Sequence, residues 1–96
     1  GLNRSLAAEL AQHKILVNAL CPGWVDTEMA QEGLRAFSEA LKISKEKALD
    51  QAMADVPLGK MSTPNEIAQL TSFLISDAQT SITGQTLGIN NGAMML

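Results

Sequence analysis

The sequence predicts an α/β fold organised around parallel strands. Two observations point there. Ile15 to Leu20 and Gln85 to Ile89 are short apolar runs with β-branched residues, and helical patterns flank and separate them. The order helix, strand, helical excursion, helix, strand is the end of an α/β alternation, with its two strands parallel and joined by a right-handed crossover. Length sets the scale: 96 residues make one small domain at most.

Each element has its own justification. Residues 2–12 form a helix on the spacing of Leu2, Leu6 and Leu10, with alanines between them. His13 and Lys14 end it with basic residues suited to a helix C-terminus. Ile15 to Leu20 is nearly continuous apolar sequence, the pattern of a strand covered on both faces, and Pro22-Gly23 stops it. Residues 28–42 and 45–55 carry two helical stripes: Leu34, Phe37 and Leu41, then Ala48, Leu49, Ala52 and Met53. Ser44 is placed to cap the second. Thr63-Pro64-Asn65-Glu66 is a complete helix start, with a capping Thr, a Pro whose missing N–H costs nothing, and a Glu three residues past the cap. Ile67, Leu70, Phe73 and Leu74 give that helix its buried stripe. Ser81 to Gly84 is a turn, and Asn90-Asn91-Gly92 closes the second strand.

Composition excludes several classes of function. Apolar residues form 46 % of the chain, which is globular composition. No apolar run approaches the ~20 residues of a membrane span. The net charge of −3 carries no electrostatic footprint for nucleic acid. One Cys and one His rule out a disulfide framework and leave no set of ligands for a structural zinc. Cys21 suits a reducing compartment and reads as a buried structural thiol, and His13 stands at the opposite end of its strand. Asn3-Arg4-Ser5 matches a glycosylation sequon inside a helical pattern, where it carries no weight. Lys42, Lys45 and Lys47 read as a solvated face. After Lys60 only Glu66 and Asp77 are charged, so the tail is expected to be buried in its own domain, against a partner subunit, or both. Two parallel strands alone lack cover and neighbours, so the chain is expected to be the C-terminal part of a larger domain.

Taken together, these segments resemble the C-terminal portion of the classical short-chain dehydrogenases/reductases. Arg4 to Ala11 is similar to the end of that family's catalytic helix. Val17 to Gly23 is similar to its sixth strand and the turn that follows. Leu58-Gly59-Lys60 through Ala68 is similar to its penultimate helix and entry, and Phe73 to Asp77 followed by Ile82 to Leu87 to the approach to its last strand. The resemblance spans essentially the whole chain. It implies the last two strands and flanking helices of a Rossmann-type, doubly wound parallel sheet. It also implies NAD or NADP as cofactor and hydride exchange with a small carbonyl or hydroxyl substrate. The family's acid/base tyrosine, its lysine and its serine have no counterpart here; this chain has no Tyr. They are expected before Gly1, as is the phosphate-binding glycine loop. Thr83-Gly84-Gln85-Thr86-Leu87-Gly88-Ile89-Asn90 looks like such a loop, but it leads into a strand rather than opening a helix, as a phosphate cradle must.

The functional stretch is then Pro22 to Thr27, just outside the carboxyl end of a parallel strand, where open α/β sheets bind ligands. Pro22 ends the strand and Gly23 allows close backbone approach. The resemblance assigns the Val25 backbone to the nicotinamide carboxamide and the Thr27 hydroxyl to the nicotinamide–phosphate end. The same residues also fit a plain turn in which Thr27 caps the next helix. Trp24 and Met29 flank the loop and suit a substrate wall. Residues 28–57 match the family's substrate lid, with Gly33 as a hinge, and residues 64–96 its last helix and strand. The apolar terminus Ala93 to Leu96 is expected to pack on a neighbouring subunit, in a homotetramer or dimer. The resulting expectation is a cytoplasmic oxidoreductase segment that is inactive by itself; the alternative is a non-catalytic remnant or interaction module.

Overall fold

A computed structural model describes residues 1–95; Leu96, the end of the expected apolar terminus, lies outside the described residues. Helix α1 (Leu2–Leu10) runs into a 3₁₀ turn, Ala11–His13. Strand β1 (Ala19–Pro22) follows, then α2 (Glu28–Leu41), α3 (Lys45–Met53), α4 (Pro64–Ile75) and β2 (Thr86–Ile89). The strands pair in parallel, from Ala19 opposite Thr86 to Pro22 opposite Ile89.

The first strand begins later than its apolar pattern predicts. Val17 and Asn18 meet the turn before β2 instead of a ladder. The Val17 N–H donates to the Thr83 hydroxyl (3.0 Å), and the Val17 carbonyl accepts from the Gly84 N–H (2.7 Å). The Asn18 amide donates to the Ile82 carbonyl (2.9 Å) and accepts from the Gln85 N–H (3.1 Å). These bonds set the register of the strands. Helix α1 also docks differently from its leucine stripe. Leu2 is 75 % exposed, whereas Ala7 is buried, and the Asn3 amide donates to the Gln85 carbonyl. The small Ala7 side chain admits the Gly84 backbone; a Cβ on Gly84 would sit 3.5 Å from that of Ala7.

Burial is concentrated in the helical excursion. Leu34, Ala48, Met53 and Val56 are buried there, and Ala7 is the only other buried apolar residue among those described. Helices α2 and α3 form a hairpin. Lys42, left-handed at φ 55°, ends α2, and the Ile43 N–H reaches back to the Ser38 carbonyl (3.0 Å). Ser44 caps α3 through the Lys47 N–H (3.1 Å). Within the α2 stripe, Leu34 is buried, but Phe37 and Leu41 reach solvent and Ser38 takes the buried place. Gly33 lies inside an unbroken helix.

The sheet is bare by comparison. Ala19 and Leu20 are half-buried, while Cys21 and Pro22 are exposed, so neither two-sided cover of β1 nor a buried Cys21 thiol is found. The cause is geometric: two strands present two faces, and the described helices do not close over both. In α4, Ile67, Leu70 and Leu74 are half-buried, Phe73 is 45 % exposed and Ile75 80 %. Met94 and Met95 are also exposed. The charge-poor tail is therefore not buried within this chain. A hollow of about 590 Å³ lies between Leu16–Leu20 and α4. The Cα radius of gyration is 17.1 Å, against roughly 12.5 Å for a compact domain of this length. The surface is 6845 Å², against about 5,300 Å² for a folded monomer of this mass. Among the described residues, no helix is long and apolar enough to cross a membrane, and no cluster of His, Cys, Asp and Glu is arranged to hold a metal.

The start of α4 follows its sequence signature. The Glu66 N–H donates to the Thr63 hydroxyl (3.1 Å), and the Thr63 N–H donates to the Glu66 carboxylate (3.0 Å). Lys60 pairs with the same carboxylate at 3.2 Å. The Thr63 N–H and then Lys60 lower the Glu66 pKa from its ordinary 4.5. Thr63→Ala is expected to cost about 1 kcal/mol in chemical denaturation, the usual value of a helix cap. A carboxylate with a lowered folded-state pKa stabilises above its unfolded pKa, and that stability is lost as pH falls through the folded value. An NMR titration should place the Glu66 midpoint below 4.5, and Glu66→Gln should remove this part of the acid dependence of stability.

Candidate functional site

The loop after β1 is held at three points. At Gly23 the N–H donates to the Ile89 carbonyl (3.3 Å), extending the strand pairing by one bond. A Cβ at this position would lie 2.8 Å from the Cβ of Asn90. The glycine here thus serves the approach of two backbones from the same chain.

Beyond Gly23 the backbone forms a parallel bridge between Val25 and Ser62. The Ser62 N–H donates to the Trp24 carbonyl (2.9 Å), and the Asp26 N–H donates to the Ser62 carbonyl (2.8 Å). In such a bridge the groups of the flanking residues face the partner, and those of the central residue face the other way. The Val25 N–H and carbonyl therefore line the free edge of the loop, with no protein partner among the described residues. A neighbouring donor and acceptor at one half-buried position make a ready site for a planar carboxamide.

Thr27 is the third point. Its hydroxyl accepts from the Ala30 N–H (3.2 Å) and caps α2, while the Asp26 carboxylate holds the Gln31 amide (2.9 Å). The cap uses the hydroxyl as an acceptor and leaves its O–H free to donate. Capping therefore does not use up the hydrogen-bonding capacity of Thr27.

Ser62 is fixed from behind. Its side chain is buried, and its hydroxyl accepts from the Asn91 amide (3.1 Å). That amide also donates to the Lys60 carbonyl (3.0 Å), and the Asn91 carbonyl accepts from the Leu58 N–H (3.0 Å). Asn91 reaches these partners from a left-handed conformation, φ 56°, which Asn tolerates. Sequence patterns identified Asn91-Gly92 as a turn and missed the clasp, because Ser62 and Asn91 are 29 residues apart.

The two expected wall residues part company. Trp24 lines a cleft of about 450 Å³ with Gly33, Leu34, Phe37, Gln51 and Ala52. Met29, on the first turn of α2, is 81 % exposed and lies outside that cleft. Pro22 stays in the strand as the last paired residue. Phe37 and Gln51 are cleft residues that a helical-stripe reading assigns to packing or solvent.

Comparison with known proteins places the whole chain. A family model described as Enoyl-(Acyl carrier protein) reductase matches residues 1–94. The 3-oxoacyl-acyl-carrier-protein reductase FabG of Thermotoga maritima is 36 % identical over 95 residues, covering 99 % of this chain and 34 % of its own length. The acetoacetyl-CoA reductase of Shinella zoogloeoides is 40 % identical over 92 residues, covering 96 % and 34 %. Among solved structures, a short chain dehydrogenase family protein from Francisella tularensis superposes with a TM-score of 0.89 at 36 % identity, over 96 % of this chain and 38 % of that one. A variant of actinorhodin polyketide ketoreductase with NADPH superposes at 0.83 with 38 % identity, over 97 % and 36 %. The chain spans about a third of the length of the relatives it matches.

The close approach at Gly23 has a measurable consequence. Gly23→Ala is expected to destabilise the protein by about 1–3 kcal/mol, as overpacking does, because the added methyl meets Asn90 near its backbone. Chemical denaturation measures the loss, and amide exchange at Ile89, whose N–H faces β1, should show it falling on the end of the sheet.

Proposed function

We propose that this chain, which belongs to the short-chain dehydrogenase/reductase family, forms the C-terminal part of an NAD(P)-dependent oxidoreductase. In this reading residues 1–96 complete a single Rossmann domain, residues 28–57 are its substrate lid, and residues 64–96 belong to an oligomer interface. The observation that carries it is the outward-facing Val25 edge, beside a glycine and a hydroxyl in a loop at the carboxyl end of a parallel strand.

The residues present fit the nicotinamide end of a dinucleotide. The Val25 N–H and carbonyl match the acceptor and donor of a carboxamide. The Thr27 O–H donates to a phosphate oxygen while its oxygen caps α2. Pro22 and Gly23 hold the loop close to β2, and Trp24 walls the substrate side; Met29 joins that wall only if the first turn of the lid folds inward. When bound, the cofactor supplies or accepts a hydride. This chain contributes position and exclusion of water, and it contains no Tyr to move the proton.

The exposed sheet faces and the apolar side of α4 support a place inside a larger assembly. They read as surfaces that the remaining strands and helices of the domain and a second subunit cover. A homodimer or homotetramer in the cytoplasm fits the charge-poor tail. The substrate is a small carbonyl compound or alcohol, in keeping with relatives named as 3-oxoacyl-acyl-carrier-protein and acetoacetyl-CoA reductases.

Two measurements test the proposal. The isolated 96-residue polypeptide should show no NAD(P)H-dependent carbonyl reduction, and measurable turnover would contradict it. In the full-length protein, Thr27→Val should weaken NAD(P)H binding by roughly tenfold or more, the usual worth of a hydrogen bond to a charged group. Thr27→Ser keeps the hydroxyl and should restore binding. Equal affinity in all three proteins would remove Thr27 from the cofactor site.

A further inference from the structure

Gly33 has no backbone reason to be glycine. Gly59, Gly84 and Gly92 hold positive φ angles, and Gly23 meets Asn90. Gly33 does neither; it sits inside α2 where a Cβ would meet nothing within 4 Å. After proline, glycine is the least favourable residue in a helix interior. The space it leaves belongs to the cleft beside the Val25 loop.

That cleft has a definite chemistry. Trp24 and Phe37, two of the three aromatic residues in the chain, face it, each 41 % exposed. Leu34, 2 % exposed, forms its floor, and Ala52 adds another apolar wall. Gln51 is the only polar side chain in the lining, and none of the lining side chains is charged. A charged group there would lose water and gain no counter-ion. A hydrocarbon chain would cover aromatic surface that this chain leaves exposed.

We infer that Gly33 is a specificity-determining residue, keeping open a pocket against Trp24 and Phe37 for the uncharged hydrocarbon chain of the carbonyl substrate. The inference rests on the oxidoreductase reading above and adds the class of substrate. Gln51 supplies one neutral hydrogen-bonding group along that chain. A side chain at position 33 takes its volume from the pocket without disturbing the helix.

The experiment compares the full-length protein with Gly33→Leu, leucine being a strong helix former. Methyl ketones from butanone to decanone serve as substrates with NAD(P)H. In the native protein kcat/KM should rise with chain length, by up to about fourfold per buried methylene. Gly33→Leu should lower the decanone-to-butanone ratio by roughly tenfold or more, and Gly33→Ala by less. The same ratio in all three proteins overturns the inference while leaving the oxidoreductase reading standing. A second readout needs no turnover. Decanone should saturably change the Trp24 fluorescence, identified by comparison with Trp24→Phe, and Gly33→Leu should weaken that binding. Saturable binding that Gly33→Leu weakens, without reduction of any ketone, supports the pocket and overturns the reductase reading alone. No saturable binding, or binding that Gly33→Leu leaves unchanged, overturns the pocket.

Discussion

The position of the functional loop depends on the side chain of Asn91. One amide group donates to the Lys60 carbonyl and to the buried Ser62 hydroxyl, and the backbone of the same residue receives the Leu58 N–H. Ser62, held in this way, pairs with both residues flanking Val25. The edge that meets the proposed cofactor is thus set by the second strand's exit turn. A loop of the Pro-Gly type has several conformations of similar energy. Two bonds to Ser62 and the Gly23–Asn90 contact select one of them, so the ordering cost falls during folding and not at ligand binding.

This arrangement divides the chain into two parts with different self-sufficiency. The α2–α3 hairpin carries nearly all the described apolar burial and holds its own shape through Leu34, Ala48, Met53 and Val56. The strands and α4 expose apolar surface and have a paired register but little cover. A hairpin that keeps its own core can vary against a sheet without dissolving it. The sheet, in turn, derives its stability from whatever covers its faces. The excess surface and elongated shape express the same division.

Local chemistry was legible in the sequence, and contacts at long range were not. The capping box at Thr63, the Ser44 cap, the parallel order of the strands and the turn at Asn91-Gly92 each follow from a few neighbouring residues. The starts of the strands were misplaced because ladder partners, not apolarity, define them: Val17 and Asn18 spend their bonds on Thr83, Gly84, Ile82 and Gln85. Burial of Cys21, Phe37 and Phe73 was overestimated because an apolar stripe reports what a face prefers and not what covers it. The Ser62–Asn91 clasp leaves no periodic trace at all, and the role of Gly33 emerges only from the open space around it.

The most direct test of the clasp is amide hydrogen exchange in Asn91→Gly. Glycine keeps the left-handed backbone and removes only the side-chain donors. The Asp26 and Ser62 amides should lose protection by about thirtyfold, the worth of two ordinary hydrogen bonds, while the Ala30 and Ser38 amides in α2 keep theirs. Unchanged protection at Asp26 and Ser62 would contradict the claim that Asn91 holds the loop.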